Sequence, residues 1–554
     1  MMNLPYSYHT FLFPFIWNDN GEIGQDEFEK ILSLKDCKHW FSCTYNDMFP
    51  PNAEKTSPSF KSDYALYQFL TSPARKLVFP DGVNDPARCY DFRYYGKPLI
   101  DIGLYTIEKK TKKFENGAEK IEKEVFVLKI NGIKLKTYNT GVGIMVFELE
   151  YHGKKKLDDK DVKNEYNLND INKINEYGRR INRPYVGTKE KPCVVTADKI
   201  TITLRSEYEQ ETFEGFIGES HVLTHVMDPI KRILSLGSEF KLTSKRLCNE
   251  KRDAKTYYIY PAIDDRMFVC CLVRSDLLCA TFSKYDKGTY EYLSEKYEVP
   301  SELYKFAFIE TDCSCQSRIM RKNVLSKSVY DRWIDYGTIY AVTHHSLIGL
   351  TGEDLENKFG LVDTVVNPFL NIYVQLAIIS LVQRATILSI SAKASMVAGE
   401  LFDKNVDKLE KIEELQKEYV RAHSQILLFE VTTQEQGVDI FQKLVDQLYI
   451  KENKVLLDEQ MNNLRDVANI GYDRKEQRDS GILNKMLAVV SIFALVLAVV
   501  EISPVVYPDI VFGMWSILWG VIVTIAAALV AVALIRPLRE ELFGKLHSRR
   551  KTDR

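Results

Sequence analysis

The chain has 554 residues, 45% apolar and 27% charged, with 74 Lys plus Arg set against 76 Asp plus Glu. That length predicts several domains with a full core, and the composition is that of an ordinary globular body. The near-zero charge balance gives no argument for direct contact with nucleic acid. Ten cysteines are scattered without a CxxC pair or a zinc-type spacing. Cys270 and Cys271 are adjacent and Cys313-x-Cys315 is too close for an unstrained bridge, so reduced structural thiols are expected. The first residues, Met-Met-Asn-Leu-Pro-Tyr-Ser-Tyr, lack the basic patch and long apolar segment of a signal peptide, which predicts that they stay inside.

Residues 8–17 form an aromatic-rich run that fits an edge strand ended or bulged at Pro14. The runs 125–130 and 133–138 flank Asn131-Gly132, the preferred hairpin dipeptide, and 142–151 extends them, which predicts an antiparallel sheet. A polar segment, 154–170, leads into Leu168, Ile171, Ile174, Asn175 and Gly178, a helical face that ends in Arg179-Arg180-Ile-Asn-Arg183-Pro184. Residues 199–204 alternate as a strand, and 213–240 reads as a helix with Phe216, Val222 and Ile230 on its apolar side. Residues 268–273 form a buried strand, and 337–347 another with His344-His345 near its end. Adjacent histidines on a strand point to opposite faces, so a joint metal site is sterically awkward. Asp264-Asp265-Arg266 reads as a turn entering the next strand.

The run 369–382 holds Asn371 and Gln375 and leaves about 14 residues between Pro368 and Gln383-Arg384, too few to cross a membrane; a buried helix is expected. From 403 onward Val406, Leu409, Ile412, Leu415, Tyr419, Ala422 and Ile426 fall at helical spacing until 432–437 breaks the pattern, and a second helix starts near Val438. Leu457, Met461, Leu464 and Ala468 then mark a seam at coiled-coil spacing. No proline interrupts 455–500, and one helix over that stretch would be about 70 Å long at ~1.5 Å per residue.

That helix runs into a charge-free apolar stretch at 486–500, and with its flanks the segment 482–502 reaches the ~20 residues needed to cross ~30 Å of hydrocarbon. A polar break at 501–509, with prolines at 504 and 508, is followed by a second charge-free run at 510–535. A buried hairpin of a soluble domain would also account for two apolar runs, although soluble cores seldom hold two in tandem. Arg474, Lys475, Arg478 and Lys485 precede the first span, and Arg536, Arg539, Lys545, Arg549, Arg550, Lys551 and Arg554 follow the second. Basic residues resist translocation, so both termini are expected in the cytoplasm and only 501–509 outside an inner membrane. The expected organisation is an α/β domain (1–350), a helical region with coiled-coil and stalk helices (351–480), a transmembrane hairpin (481–536) and a basic tail (537–554).

This order of elements resembles the CorA superfamily of divalent-cation channels: an α/β cytoplasmic domain, a long helical stalk and a C-terminal two-helix transmembrane hairpin. The resemblance implies a homo-oligomer, a pentamer in that family, with five first spans around one pore in the lipid bilayer. The Gly-Met-Asn triplet that ends the first span in the family is absent, and Phe512-Gly513-Met514-Trp515 is the nearest echo. Selection of hydrated Mg²⁺ therefore does not carry over. A narrower resemblance, to the divergent CorA-like proteins encoded beside type III CRISPR systems, rests on four phrases. They are His9-Thr-Phe-Leu-Phe-Pro-Phe15, Tyr177-Gly-Arg179-Arg180, Tyr330-Asp-Arg-Trp-Ile-Asp-Tyr-Gly337, and Gln375-Leu-Ala with Val382-Gln-Arg384-Ala. It implies an antiviral effector opened by a nucleotide second messenger, in that group the conjugate of S-adenosylmethionine with AMP (SAM-AMP).

Three functions compete: a ligand-gated channel, a divalent-cation (Mg²⁺) transporter without nucleotide gating, and a membrane-anchored nucleotide enzyme. The sequence holds no GxxxxGK[ST], HExxH, GxSxG or paired-aspartate metal pattern, which argues against the enzyme. Arg179, Arg180 and Arg183 place three guanidiniums within five residues; their forks match phosphate oxygens, and a solvated basic turn or a salt-bridged subunit contact is the plainer alternative. Glu501 and Asp509 would form acidic rings at the outer pore mouth and favour cations, or would merely solvate the loop. In a cysteine-free background, Val505→Cys or Tyr507→Cys should react with an impermeant thiol reagent in intact cells, whereas Asn20→Cys and Arg550→Cys should not. Labelling at residue 20 would overturn the topology.

Overall fold

The computed structural model describes residues 5–16, 40–43, 45–50, 58–79, 89–94, 103–115, 118–163, 167–180, 197–205, 210–215, 240–242, 257–264, 266–276, 278–279, 285–286, 291–292, 298–311, 315–352, 360, 362–401 and 408–506. Contacts divide it into two compact units, one formed by residues up to 402 with 413–461, the other by 403–412 and 462 onward.

The first unit is built on strand β1, Ser7–Ile16, which is buried along its whole length. In chain order the strands that follow are β2 (Trp40–Cys43), β3 (Cys89–Tyr94), β4 (Gly103–Glu115), β5 (Ala118–Tyr138), β6 (Val142–Tyr151), β7 (Lys154–Leu157) and β8 (Lys160–Lys163). After them come β9 (Lys199–Arg205), β10 (Gln210–Gly215), β11 (Phe240–Leu242), β12 (Tyr257–Pro261) and β13 (Phe268–Arg274). The short pair β14 (Tyr285–Asp286) and β15 (Glu291–Tyr292) stands apart, and β16 (Val329–Tyr330), β17 (Ile339–Val342) and β18 (Ser346–Thr351) complete the set. One mixed sheet of 16 strands results, with the spine β10-β9-β4-β5-β6-β1-β13-β18-β17-β16. Most neighbours on the spine are antiparallel, but β13 and β18 run parallel.

Two sequence expectations fail here for one physical reason, a change of partner along a strand. β1 is central rather than an edge: β6 pairs with all of it on one side, while on the other β13 covers Ser7 to Leu12 and β12 takes over at Phe15. Pro14 falls in the gap between β13 and β12, where a missing N–H is tolerated. Asn131-Gly132 is likewise no hairpin. β5 is a single strand that pairs with β6 from Lys129 to Thr137, on both sides of the dipeptide, with a register shift between Ile130 and Gly132. On its other edge β4 pairs as far as Ile130 and β3 from Lys134 on, so the bulge marks the exchange. The reversal comes later, at Tyr138 to Gly141, where Gly141 adopts φ +78 and its N–H reaches the Tyr138 carbonyl at 3.0 Å.

Helices cover both faces of the sheet. The alternate residues Phe11, Phe13 and Phe15 pack into one core with α3 (Leu168–Gly178) and α4 (Glu298–Phe308), through Ile171, Ile174, Leu303 and Phe306. On the opposite face lies α6 (Val374–Leu401), packed across β1 and β6. Further helices are α1 (Pro58–Phe69), α2 (Ser72–Val78), α5 (Arg318–Ser328), α7 (Lys408–Gln425) and α8 (Glu435–Gln447). The fold is thus a mixed α/β sheet domain with long helices, and each fully buried large side chain contributes on the order of 1.5–3 kcal/mol.

α6 is entered through π-helical turns at Val362–Val366 and Pro368–Tyr373, so the helical stretch is far longer than the 14 residues expected. Asp363–Gly399, at 37 residues and mean hydropathy 1.8, is long and apolar enough to cross a membrane, yet 67% of its most apolar window is buried inside the protein. It is the buried helix expected there. α8 begins at Glu435 rather than Val438. The seam residues Leu457, Met461, Leu464 and Ala468 are all buried, as the spacing predicts.

They lie on α9, Ile450–Val506, a single helix of 57 residues, about 85 Å long at ~1.5 Å per residue. The boundary between the two units falls within it, after Met461. α9 runs through the break expected at Glu501 and past Pro504; a proline removes one bond of the ladder without ending it. Two further expectations meet the structure differently. The polar stretch after β6 forms the β7–β8 hairpin, and of the predicted 213–240 helix residues 213–215 belong to β10 and Phe240 opens β11, while 216–239 and the second span 510–535 lie outside the described residues.

α3 is fastened to the sheet by a fully buried histidine. His9 Nδ1 donates to Asn175 Oδ1 at 2.7 Å and its Nε2 accepts from the Ser7 hydroxyl at 2.8 Å, a pattern that fits the neutral ring. Burial pushes the His9 pKa down to about 4. Between pH ~6.5 and ~4 the unfolded chain therefore binds a proton that the folded chain does not. Folded-state stability should be complete above pH ~6.5 and fall by about 1.4 kcal/mol per pH unit below it. Denaturant titrations between pH 7 and 5 should show this slope and show it reduced in His9→Gln; equal slopes would place the proton elsewhere.

Candidate anion-binding site

α3 begins at Asn167, whose side chain accepts the Asn169 N–H at 2.9 Å, and ends at Arg179, whose N–H returns to the Asn175 carbonyl. Its last residue touches the sheet closely: a Cβ on Gly178 would stand 2.9 Å from the Phe11 ring and 3.0 Å from Ile107. The Tyr105 hydroxyl donates to the Gly178 carbonyl at 2.8 Å. This explains the phrase Tyr177-Gly178-Arg179-Arg180: glycine lets the helix end press on the sheet, and the two arginines emerge from that fixed point.

Both arginines are buried, Arg179 at 3% exposure and Arg180 at 8%. The chain holds them by backbone: the Arg179 carbonyl accepts from Met267 N at 2.8 Å, and Arg180 forms a β-bridge with Arg266. Arg266 precedes β13. Its guanidinium donates to Asp264 at 2.7 Å and to His345 Nε2 at 3.0 Å. His344 and His345 occupy the tight connection between β17 and β18 rather than a strand, and Val269 N bonds the His345 carbonyl. On α6, Arg384 lies near Asp264 and His344; burial, and then the Arg384 charge, lowers the His344 pKa.

Electrostatically the cluster is frustrated. Burial, and then the charges of Arg266 and Arg180, pull the Arg179 pKa down to about 9, so it remains protonated near neutrality. Burial and the Arg266 and Arg179 charges push His345 down to about 3. Burial also lowers Arg384. Nearby Glu176 is engaged by the Thr311 N–H at 3.1 Å and by the Thr311 hydroxyl. Above all, Nε and Nη1 of Arg179, and Nε and Nη1 of Arg384, are buried with no hydrogen-bond partner among the described residues. Buried donors left unmade are costly, and a guanidinium fork presents the donors that a phosphate or carboxylate accepts.

Of the ligand residues expected from sequence, Arg179 and Arg180 lie together, and Arg183 lies outside the described residues. Arg266, His344, His345 and Arg384 were not assigned to that site from sequence. Of the pore-mouth pair, Glu501 lies within α9 and Asp509 lies outside the described residues. Among the described residues no group of three or more His, Cys, Asp or Glu side chains is placed to hold a metal ion. No family model, curated protein or solved structure matches this chain.

An unpaired buried guanidinium destabilises the empty protein. Arg179→Met keeps the length and apolar stem and removes the orphaned donors, and should raise the stability of the ligand-free protein by ~1–3 kcal/mol. Thermal unfolding of the variant checks this; a lower melting temperature would mean that the guanidinium is well satisfied as it stands.

Proposed function

We propose that the chain is a CorA-like homo-oligomeric membrane channel. In this reading an adenine-containing nucleotide messenger of the SAM-AMP type binds in the α/β domain and gates it, in the service of type III CRISPR antiviral defence. The observation that carries the reading is the buried Arg179 guanidinium, with unmet donors and set beside Arg180 and Arg266, together with the unmet donors of Arg384, which acts on Asp264 and His344. A ligand phosphate there would accept the missing hydrogen bonds and offset the mutual repulsion of the cations.

A route from the ligand to the stalk is at hand. The His344 ring meets the Tyr449 ring edge-on at 4.8 Å. Tyr449 sits between α8 and α9 in a left-handed conformation, φ +52, which a non-glycine residue adopts only under constraint. A ligand that favours one setting of this junction would bias the start of α9, to the extent that it prefers that state. Farther along α9, Leu483, Met486, Leu487, Val490 and Ile492 are exposed apolar side chains, the surface that lipid or neighbouring helices would cover. Glu501 and Asp509 are the proposed acidic rings at the outer mouth.

Ion flux from proteoliposomes should rise when SAM-AMP is added on the side of the α/β domain. Arg179→Ala with Arg180→Ala should abolish messenger binding while leaving assembly and membrane insertion intact. Glu501→Gln with Asp509→Asn should lower cation over anion selectivity without changing messenger affinity. Flux that ignores the nucleotide would favour a divalent-cation transporter without nucleotide gating, and unchanged affinity in the double arginine variant would remove the site.

A further inference from the structure

Glu176, Asp264 and Glu310 all lie close enough to Arg179 for its charge and theirs to act on one another. Even so, Nε and Nη1 of Arg179 are buried and make no hydrogen bond. Each of the three carboxylates is engaged elsewhere. Asp264 accepts from Arg266 at 2.7 Å, and Glu310 accepts from the Tyr304 hydroxyl at 3.2 Å. Glu176 is the natural partner for Arg179, because it stands three residues earlier on α3, a spacing at which helical side chains are neighbours. It is only 6% exposed, and its Oε2 accepts both the Thr311 N–H at 3.1 Å and the Thr311 hydroxyl at 2.5 Å.

Thr311 reaches that carboxylate through a strained turn. The chain leaves α4 at Ile309, which holds φ +55, and the Glu310 N–H closes the turn on the Lys305 carbonyl at 3.0 Å. Helices that end this way usually carry glycine at the left-handed position. A β-branched residue enters that region only under constraint, and here burial of the Ile309 side chain in the core of the sheet supplies it. The turn therefore fixes where Thr311 stands, 8% exposed, over the side chain of Glu176.

We propose that Thr311 is a positioning residue of the arginine site: by holding Glu176 it keeps that carboxylate off Arg179 and leaves the guanidinium open to a ligand phosphate. This rests on the reading of the cluster as an anion site, and adds the residue that stops the protein from filling the site itself. Without the hydroxyl, Glu176 gains an ion pair with a buried cation whose donors are otherwise unmet. An anion then has to displace it, and the apparent affinity falls by the fraction of molecules in which Arg179 stays open.

Thermal melting of the full chain in detergent micelles, with no ligand added, reads the pair directly. Arg179→Met should raise the melting temperature of the otherwise unaltered protein and lower it in the Thr311→Val background, where it strands a paired Glu176. Equilibrium dialysis with SAM-AMP reads the consequence. Thr311→Val should weaken binding about tenfold or more and Thr311→Ser should keep it. Glu176→Gln should recover binding in the Thr311→Val background while changing the otherwise unaltered protein by less than about threefold. If Arg179→Met raised the melting temperature equally in both backgrounds, or Glu176→Gln had the same effect in both, Thr311 would be a packing residue only and the proposal would be overturned. Lower melting in both backgrounds would overturn the anion-site reading together with the proposal. The expected reversal in melting without SAM-AMP binding would overturn the choice of messenger and support the role of Thr311.

Discussion

Strand β1 sets the constraint on which the rest of the first unit depends, because it is buried on both faces and paired on both edges. A strand so placed must satisfy every N–H and carbonyl through its neighbours, and it must present apolar side chains in both directions. Ser7–Ile16 does this with alternate phenylalanines toward α3 and α4, and with Leu12 and Ile16 among the fully buried residues of the other row. Two of its other residues, Pro14 and His9, are informative. Pro14 lies where one edge partner hands over to another, and His9 replaces an apolar contact with a hydrogen-bonded one. Through Asn175 that histidine fixes α3 along the sheet, and the end of α3 is where Arg179 leaves the helix.

The buried arginines make sense only against this rigidity. Four guanidiniums in a flexible loop would turn outward to water, where each would be solvated at little cost. Here the Met267–Arg179 backbone bond, the Arg180–Arg266 bridge and the close seat of Gly178 leave the chain no such freedom. Lost solvation, and then repulsion, lowers the pKa values of Arg179 and His345, and lost solvation lowers that of Arg384. A neutral His345 ring accepting from Arg266 partly relieves the crowding. Such a site stores instability that an anion would remove, which is the arrangement expected of a binding site rather than of a structural ion-pair network.

Much of the fold was legible because hydrophobic period is a local property. β6, β9, β13 and the seam of α9 all follow from runs of apolar residues at fixed spacing. Partner changes are not local. Asn131-Gly132 carries a hairpin signal, but whether the chain reverses there depends on β3 and β4, which compete for the same edge of β5. Pro14 marks an irregularity without saying that β12 lies beyond it. The arginine site was half legible for the same reason. Arg179-Arg180 is visible as a doublet, whereas Arg266 lies beside it only because β13 starts there, and Arg384, from within α6, reaches Asp264 and His344 only through tertiary packing; a lone arginine in a helix carries no local mark of that.

In the proposed channel, a short chain of rigid parts would lie between ligand and α9: Arg384 on α6, the β17–β18 turn with its two histidines, and Tyr449 just before α9. Each part is packed or hydrogen-bonded, so a change at one cannot be absorbed by side-chain rearrangement alone. Tyr449 is the soft point, since its left-handed backbone is held by context and not by preference. Burial, and then the arginine charges, lowers the pKa of both histidines, so an anion that answered those charges would remove the smaller part of that shift beside Tyr449. In the proposed channel the residue with the left-handed backbone, at the start of α9, is where a change at the arginine cluster would act on that helix.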